Sequence, residues 1–381
     1  MNYRKFGKTG FETSILGFGC MRFETTDNAP FSTKIIEDKA ISQLRYAIDN
    51  GLNYIDTAYP YHGGQSEVVV GKALKDGYRD KVKIASKSPV WSIDKPGDFD
   101  KYLDEQLKRL NTDHIDFYLL HALNKSHWKD KVLKHDIINR AELAKKSGKI
   151  GHIGFSFHDE FDLFKEIVDA YEWGFCLLQL NYLNEDYQAG LKGYNLAVEK
   201  GMGIAVMEPL FGGKLANVPN SIKEMLNEGS PEKSPVEWAL DYLWNLPGIS
   251  VVLSGMGSME QVKDNISYAS RATANMFSPK ESETIKKVQD AFASMPTIPC
   301  TKCSYCMPCP VEVDIPRNFE LYNESIMFDM LDQVKESYLN LKNANENSVA
   351  ESCISCKKCE SVCPQNINIA DLMREVHTKL G

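Results

Sequence analysis

The sequence predicts an α/β protein that consists of a closed (β/α)8 barrel and a small, mainly helical C-terminal domain. Short apolar runs alternate with helical stretches between residues 16 and 270, and eight such units over this length fit a closed barrel. The chain has 381 residues, which is longer than a single core usually fills. Eight of its ten cysteines follow residue 299, so the composition also divides the chain in two.

The predicted elements follow one another in the order of a TIM barrel. A short hairpin comes first, at residues 3–6 and 13–16. The strand candidates are short and mostly apolar, as strands covered on both faces by helices should be: residues 16–19, 54–55, 82–85, 115–120, 150–155, 176–180, 204–206 and 249–253. The helical stretches are residues 36–49, 67–75, 99–110, 130–146, 160–170, 191–199, 236–244 and 259–269. A doubly wound open sheet is the alternative, but no Gly-x-Gly-x-x-Gly follows the first strand.

The composition argues against several classes of protein. A net charge of -8 argues against a nucleic-acid surface. No apolar run reaches the roughly 18–20 residues of a membrane span, and the N-terminus leads into no secretory signal. We therefore expect a soluble, cytoplasmic protein. Residues 209–233 contain glycines and prolines and are expected to form a long loop after the seventh strand.

Four polar residues lie just past predicted strands. Asp56 and Tyr61 follow the second strand, Lys87 the third and His121 the fourth, and in a barrel these strand ends meet on one face. A phenol with a pKa of about 10 can protonate a carbonyl oxygen if a nearby cation stabilises its phenolate. A lysine about 4 Å away offers on the order of 4 kcal/mol at an effective dielectric constant near 20. Asp56 would hold Lys87 charged and in place, and His121 would orient the substrate oxygen.

These residues resemble the catalytic tetrad of the aldo-keto reductase superfamily. The Asp-Thr-Ala-Tyr segment that begins at Asp56, the spacing to Tyr61, and the positions of Lys87 and His121 all match it. Residues 4–10 and 16–19 match the start of that family, and the resemblance spans roughly residues 1–270. It implies a nicotinamide-dependent carbonyl reductase in which Tyr61 is the general acid. Four unrelated polar residues at strand ends are the alternative.

The resemblance also implies a set of cofactor-binding residues: Ser156, Gln179, Asn181, Tyr182, Ser254, Gly255, Gln261 and Asn265. Those after the sixth strand would hold the carboxamide and stack on the nicotinamide ring, and those after the eighth would bind phosphate and adenine. The asparagine that usually follows Ser156 is replaced here by Phe157 and His158. The basic residue that typically binds an NADP 2′-phosphate is not evident in residues 254–261, so NADP and NAD both stay open.

The C-terminal cysteines form two iron–sulfur patterns. Residues 353–364 carry the bacterial ferredoxin run that binds [4Fe–4S] clusters, and residues 300–310 are a near copy that is one residue shorter before the last cysteine. The fourth cysteine of such a run usually ligates the other cluster. We therefore assign Cys300, Cys303, Cys306 and Cys363 to one cluster, and Cys353, Cys356, Cys359 and Cys309 to the second. Paired zinc sites are the alternative, but a third evenly spaced cysteine and the Cys-Pro ending favour iron–sulfur.

Apolar residues recur at helical spacing between the two cysteine runs, so this region resembles an α-helical ferredoxin module. The chain as a whole resembles a ferredoxin-fused branch of the aldo-keto reductases. The predicted domains are a barrel over residues 1–277, a linker helix and hinge over 278–297, and a ferredoxin-like domain over 298–381.

Three functions are compatible with this combination. The leading hypothesis is a reductase that interconverts a small-molecule carbonyl and an alcohol, while its clusters exchange electrons with an external ferredoxin or flavoprotein. The second is an ordinary NAD(P)H-dependent reductase with structural or redox-sensing clusters. The third is an electron-transfer or assembly subunit whose barrel is not catalytic.

Overall fold

The computed structural model describes residues 1–29, 32–300 and 302–381. The chain forms two compact units, Met1–Gly212 with Val236–Ser278, and Gly213–Pro235 with Pro279–Gly381. The domain boundaries expected after residues 277 and 297 stay a prediction. None of the helices in the described part of the chain is both long and apolar enough to cross a bilayer.

The first unit is built around a closed barrel of eight parallel strands, which confirms the predicted fold class. The barrel strands are β3 (Leu16–Gly19), β4 (Tyr54–Asp56), β5 (Lys83–Ser88), β6 (Ile115–Leu123), β7 (Ile150–Phe157), β8 (Phe175–Gln179), β9 (Gly203–Met207) and β10 (Val251–Ser254). Each strand pairs with the next, and β10 closes the barrel against β3. The helices of this unit are α1 (Glu37–Asp49), α2 (Gln65–Ala73), α3 (Pro96–Leu110), α4 (Ile137–Lys146), α5 (Phe161–Ala170), α6 (Gly190–Glu199), α8 (Pro235–Asn245) and α9 (Met259–Arg271).

A hairpin of β1 (Tyr3–Lys5) and β2 (Glu12–Ser14) closes the N-terminal end of the barrel. Phe6 at its tip is fully buried, and its ring centre lies 5.5 Å from that of Tyr54, 4.9 Å from Phe117 and 5.3 Å from Phe175. Since a Cβ at Gly203 would lie 2.6 Å from the Phe6 ring, only glycine permits this close approach. The other end of the barrel, at the C-terminal ends of the strands, is therefore the open end.

Two predicted segments differ from the structure. The helix expected over residues 130–146 is divided into a π-helical segment, His127–Leu133, and α4, with Asp136 in the left-handed region at φ 53°. The prediction of a long loop over residues 209–233 is wrong, because this segment contains the helix α7 (Asn220–Gly229). Ile222 and Leu226 are buried one turn apart on α7, a helical pattern that the surrounding glycines and prolines obscured.

The second unit is mainly helical, as predicted. It contains α7, α10 (Pro279–Ala293), α11 (Ile315–Met327), α12 (Leu331–Ala344) and α13 (Ile369–Leu380). Phe319, Leu321, Val334 and Met373 are central to its core, against which six of the cysteines pack. Asn318 links α11 to the segment that precedes the second cysteine run, because its buried amide donates to the Ser348 carbonyl at 2.7 Å and accepts from the Ala350 amide at 2.8 Å.

Candidate active site and cysteine-lined cavities

Three of the four predicted catalytic residues are joined by hydrogen bonds at the open end of the barrel. Lys87 Nζ donates to Asp56 Oδ1 at 2.6 Å, to the Thr57 carbonyl at 2.7 Å and to Tyr61 Oη at 3.2 Å. All three ammonium protons therefore have an acceptor. Lys87 is 0% exposed and Asp56 3%, so the ion pair is shielded from water. The ring centre of His121 lies 6.0 Å from that of Tyr61, which completes the predicted group.

The strand ends and one strained turn place these side chains. Asp56 is the last residue of β4, Lys87 lies one residue before the end of β5, and His121 lies near the end of β6. Tyr61 precedes a turn in which Gly64 adopts φ 91°. This backbone conformation favours glycine, and a Cβ at Gly64 would also lie 2.7 Å from Arg109 Nη1, so that the guanidinium would have to move.

An irregularity in β6 presents His121. Its pairing with β7 shifts register between Leu120 and Leu123, and Ala122 adopts φ 52°. The Ala122 amide donates to Ser156 Oγ at 2.7 Å, which holds this bulge. Ser156 therefore orients His121 through the backbone, because Ser156 fixes Ala122, the residue that follows His121.

Burial controls the protonation of the charged pair and the phenol. Burial lowers the pKa of Lys87, but the adjacent Asp56 and Tyr61 outweigh it and raise the pKa, so the ammonium stays charged. Burial also raises the pKa of Tyr61, by more than Lys87 lowers it. The opposite net direction of the Tyr61 pKa was expected from the lysine alone. The phenol is accordingly protonated at neutral pH and able to donate.

His121 is neutral in this environment. Burial, reinforced by Lys87, His158 and His127, holds its pKa well below the usual value. A neutral imidazole carries one N–H donor, which can bind a substrate oxygen without placing a second cation beside Lys87. Its Nδ1 has no hydrogen-bond partner among the described residues.

Three of the predicted cofactor residues make hydrogen bonds or packing contacts within the fold. Ser156 accepts from the Ala122 amide, as described above. Asn181 donates to the Glu208 carbonyl at 3.0 Å, and its side-chain oxygen accepts from two following amides at 3.1 Å. Tyr182 is 1% exposed, and its ring lies edge-on to Tyr242. Their predicted roles as nicotinamide contacts stay predictions.

The remaining predicted cofactor residues lie at strand ends. Gln179 is half-buried at the end of β8. The Asn265 amide donates to Ser254 Oγ at 3.0 Å, so these two buried side chains stabilise the turn that contains Gly255. Gln261 caps α9, and its side-chain oxygen accepts from the Gly257 amide at 2.9 Å. A phosphate bound to that amide would therefore have to displace Gln261.

Arg22 is not among the predicted cofactor-binding residues. A Cβ at Gly255 would lie 3.3 Å from the Arg22 side chain, and one at Gly212 would lie 4.0 Å from its Nη2. The aliphatic stem of the exposed Arg22 side chain therefore lies beside the turn predicted to bind phosphate, and its guanidinium lies near Gly212. No basic residue is evident in residues 254–261, and Lys263 and Arg271 are the sequence candidates nearby, whereas Arg22 follows β3, the strand that pairs with β10. Its position just past the first barrel strand was the available indication.

The aromatic side chain of Trp91, which was not among the predicted site residues, lies beside His121. The Trp91 ring centre lies 5.2 Å from that of His121 and 6.0 Å from that of His127. Trp91 is 36% exposed, so it presents aromatic surface next to the tetrad. The position of Trp91 shortly after Lys87, past the end of β5, was the available indication that it lies at the site.

The eight C-terminal thiols line two cavities in the second unit. One is lined by Cys300, Cys303, Cys306 and Cys363. The other is lined by Cys309, Cys353, Cys356 and Cys359. Each cavity thus combines three thiols of one run with the fourth of the other run, and Ile315 and Ile369 line both. Among the described residues, no group of three or more His, Cys, Asp or Glu side chains is arranged so that it could hold a single metal ion.

Comparison with known proteins identifies the class that this fold and site define. The profile of the aldo/keto reductase family matches residues 15–290, more than half of the chain, and the chain belongs to that family. A second profile, described as a 4Fe-4S dicluster domain, matches residues 299–367. The protein is therefore an oxidoreductase of aldo-keto reductase type with a C-terminal ferredoxin-like domain.

Three similar proteins each match about three quarters of this chain. YqkF of Bacillus subtilis (strain 168), named an uncharacterized oxidoreductase, is 27% identical over 322 residues, which cover 77% of this chain and 100% of that protein. The holo form of aldo-keto reductase AKR11C1 from Bacillus halodurans is 26% identical with a TM-score of 0.63, covering 76% of this chain and 96% of that one. An aldo-keto reductase from Klebsiella pneumoniae in complex with NADPH has the same TM-score and coverage at 20% identity, which shows the shared fold alone.

Proposed function

We propose that the protein interconverts a small-molecule carbonyl and an alcohol with a nicotinamide cofactor, and that Tyr61 is the general acid. The observation that carries this proposal is the buried Lys87 ammonium, which is bonded at once to Asp56 and to the Tyr61 phenol. When bound, the nicotinamide supplies the hydride for reduction and accepts it in the reverse direction. The chain supplies the proton and the groups that hold the carbonyl.

The proton moves from Tyr61 Oη to the carbonyl oxygen, which becomes the hydroxyl of the alcohol. The phenolate left behind faces the Lys87 ammonium, 3.2 Å away, and this cation stabilises the negative charge that develops on it. Asp56 holds the ammonium charged, and the neutral His121 donates a hydrogen bond to the same carbonyl oxygen. Trp91 limits which substrates reach the site.

The residues at the open end fit a nicotinamide dinucleotide. Arg22 lies beside Gly255 and supplies a cation for its phosphates, while Gln179 and Ser254 lie at the ends of the strands that would flank it. We favour NADPH over NADH, because the Klebsiella pneumoniae structure of the same fold is a complex with NADPH. Fluorescence titration with both nucleotides measures this preference directly.

We further propose that each cysteine-lined cavity holds one [4Fe–4S] cluster. Four thiolates per cavity match the ligand requirement of such a cluster. Cys303 and Cys356 are exposed, one in each set, and Tyr305 and Ile354 beside them are 68% and 62% exposed. These edges are where the clusters exchange electrons with an external ferredoxin or flavoprotein. We also propose a cytoplasmic location, because unpaired cysteines in this number require a reducing compartment.

Paired substitutions test the crossed assignment of the cysteines. Anaerobically prepared protein should contain roughly eight irons per chain. Cys363→Ser combined with Cys303→Ser should leave about four, because both residues ligate one cluster, whereas Cys363→Ser combined with Cys353→Ser should remove both clusters. Ligation within each run would reverse the two results. Cys176→Ser, in the buried barrel strand β8, is the control and should keep all the iron.

A second function differs in the role of the clusters. Six of the eight thiols pack against the hydrophobic core of the second unit, which favours structural or redox-sensing clusters in an ordinary NAD(P)H-dependent reductase. A nicotinamide transfers two electrons as hydride, whereas a [4Fe–4S] cluster passes one electron at a time, so coupling needs a further step. The two hypotheses make opposite predictions for an enzyme without clusters.

Anaerobic incubation with NADH, NADPH and reduced ferredoxin distinguishes them. If the clusters are a relay, reduced ferredoxin should bleach the cluster absorbance, and added carbonyl substrate should restore it. Cys303→Ala with Cys353→Ala should abolish this turnover, with Cys176→Ala as the folded control. If substrate still oxidises NADPH at an unchanged rate in the protein without clusters, and ferredoxin has no effect, the protein is an ordinary NAD(P)H-dependent reductase.

A further inference from the structure

We propose that Glu67, Gln106 and Arg109 are positioning residues that set the separation between Lys87 and the Tyr61 phenol. They form one buried hydrogen-bond network behind the site, and none of them contacts the reacting atoms. The inference rests on the function proposed above, in which Tyr61 is the acid and Lys87 its partner.

Glu67, on α2, is the centre of the network. It is 0% exposed, and its Oε1 accepts from Ser86 Oγ at 2.7 Å and from Gln106 Nε2 at 2.6 Å. Its Oε2 accepts from Arg109 Nη1 at 3.2 Å. A buried carboxylate must have such partners, so its position is strongly determined by α3 and β5.

Gln106 connects this centre to Lys87. Its Nε2 also lies 2.8 Å from Ser86 Oγ and 3.2 Å from the Lys87 carbonyl, and its Oε1 accepts from the Tyr118 hydroxyl at 2.6 Å. Gln106 is 0% exposed. The network therefore holds the backbone of β5 at the residue that carries the catalytic ammonium.

Arg109 connects the same centre to the turn that carries Tyr61. Its Nη1 donates to the Tyr59 carbonyl at 3.2 Å, and its guanidinium carbon lies 4.2 Å from the centre of the Tyr59 ring. It also lies directly against Gly64, where a Cβ would be 2.7 Å from Nη1. Tyr59 and Gly64 flank Tyr61 on either side. The network thus ties both residues of the acid pair to one carboxylate.

This arrangement affects catalysis as well as stability, because the bond that it controls is long. Lys87 lies 3.2 Å from Tyr61 Oη, against 2.6 Å from Asp56, so a small shift of the turn would break the contact with Tyr61 first. A misplacement of about 1 Å can reduce a rate by roughly 10²-fold. Without the cation the phenolate is less stable, and the pKa of Tyr61 rises.

Arg109→Lys tests the proposal, because lysine keeps the positive charge but its side chain is one bond shorter than that of arginine. It cannot place a donor where Nη1 contacts both Glu67 and the Tyr59 carbonyl, and it lacks the guanidinium plane that lies over the Tyr59 ring. We expect kcat/KM for carbonyl reduction to fall by roughly 10- to 100-fold. The fall of kcat/KM at high pH, which reports deprotonation of Tyr61, should move to higher pH. Nucleotide affinity should not change.

Arg45→Lys is the matched control. Arg45 also donates to a helix-end carbonyl, that of Ala73, at 3.0 Å, pairs with Asp76 at 2.7 Å and lies 4.7 Å from the Tyr78 ring centre. It binds the far end of α2, away from the Tyr61 turn. This variant should lose less thermal stability, because Asp76 is exposed whereas Glu67 is buried, and its kcat/KM and pH profile should stay those of the wild type.

A second variant keeps the proposal testable if Arg109→Lys does not fold. Glu67→Met with Arg109→Met removes both charges and leaves neither unpaired, and it should show the same loss of kcat/KM and the same shift of the pH profile. Wild-type rates and an unmoved profile in a folded variant would overturn the inference. Retention of activity by Tyr61→Phe would instead overturn the proposed function, so the two failures are distinguishable.

Discussion

Tyr61→Phe should lower kcat/KM for carbonyl reduction by at least about 10²-fold, which is typical of the loss of a general acid. The substitution removes the only atom of Tyr61 that Lys87 contacts as a donor, while the bonds from Lys87 to Asp56 at 2.6 Å and to the Thr57 carbonyl at 2.7 Å can persist. The fold and the nucleotide affinity should therefore be retained. Steady-state kinetics and fluorescence titration measure the two quantities separately.

Tyr78→Phe provides the comparison for this experiment. Its hydroxyl donates to Asp49 at 2.8 Å on the outside of the barrel, so the same atom is removed from a phenol that has no part in the site. Its rate should equal that of the wild type. A Tyr61→Phe enzyme within a few-fold of the wild-type rate would remove Tyr61 from the role of acid.

Lys87→Met should destabilise the barrel by about 3–5 kcal/mol, because it leaves the Asp56 carboxylate buried without its charged partner. For a domain of this size, the loss corresponds to a decrease in Tm on the order of 10 °C. Calorimetry or far-UV circular dichroism measures it, with the barrel transition followed separately from that of the second unit. Carbonyl reduction should be lost as well.

The stability deficit of Lys87→Met should depend on pH. Burial already raises the pKa of Asp56, against the opposing effect of Lys87, and removal of the lysine leaves burial unopposed. A carboxyl whose folded pKa lies above its unfolded pKa stabilises the fold at low pH and loses that contribution as the pH rises through the folded pKa. The deficit should therefore shrink as the pH falls and Asp56 becomes protonated.

Asp56→Asn combined with Lys87→Met separates the charge effect from catalysis. With no charge left in the site, most of the lost stability should return, since neither partner is buried as an unpaired ion. Activity should stay lost, because the phenolate would have no cation. A double variant as unstable as Lys87→Met would show that packing of the lysine stem, rather than the ion pair, accounts for the destabilisation.

The sequence predicted the barrel because the fold depends on a pattern that recurs along the chain, whereas the tetrad was predicted from its resemblance to one family and stays a prediction. Short apolar strands and the parallel direction of their ends were enough to place Asp56, Lys87 and His121 on one face. The cysteine spacing likewise anticipated the sets of four that line the two cavities. The π-helical segment His127–Leu133 was missed, since a π-helix has no side-chain period of its own in the sequence.

The sequence by itself determined which residues are candidates for the chemistry, because residue type and local spacing carry that information: the phenol, the lysine and the cysteine runs. Only the tertiary structure decided how they behave. The net direction of the Tyr61 pKa required its burial as well as its distance from Lys87. Arg22 beside Gly255, and Glu67 between Gln106 and Arg109, join residues that lie far apart along the chain. Desolvation and such contacts arise only when the barrel closes, so no local pattern records them.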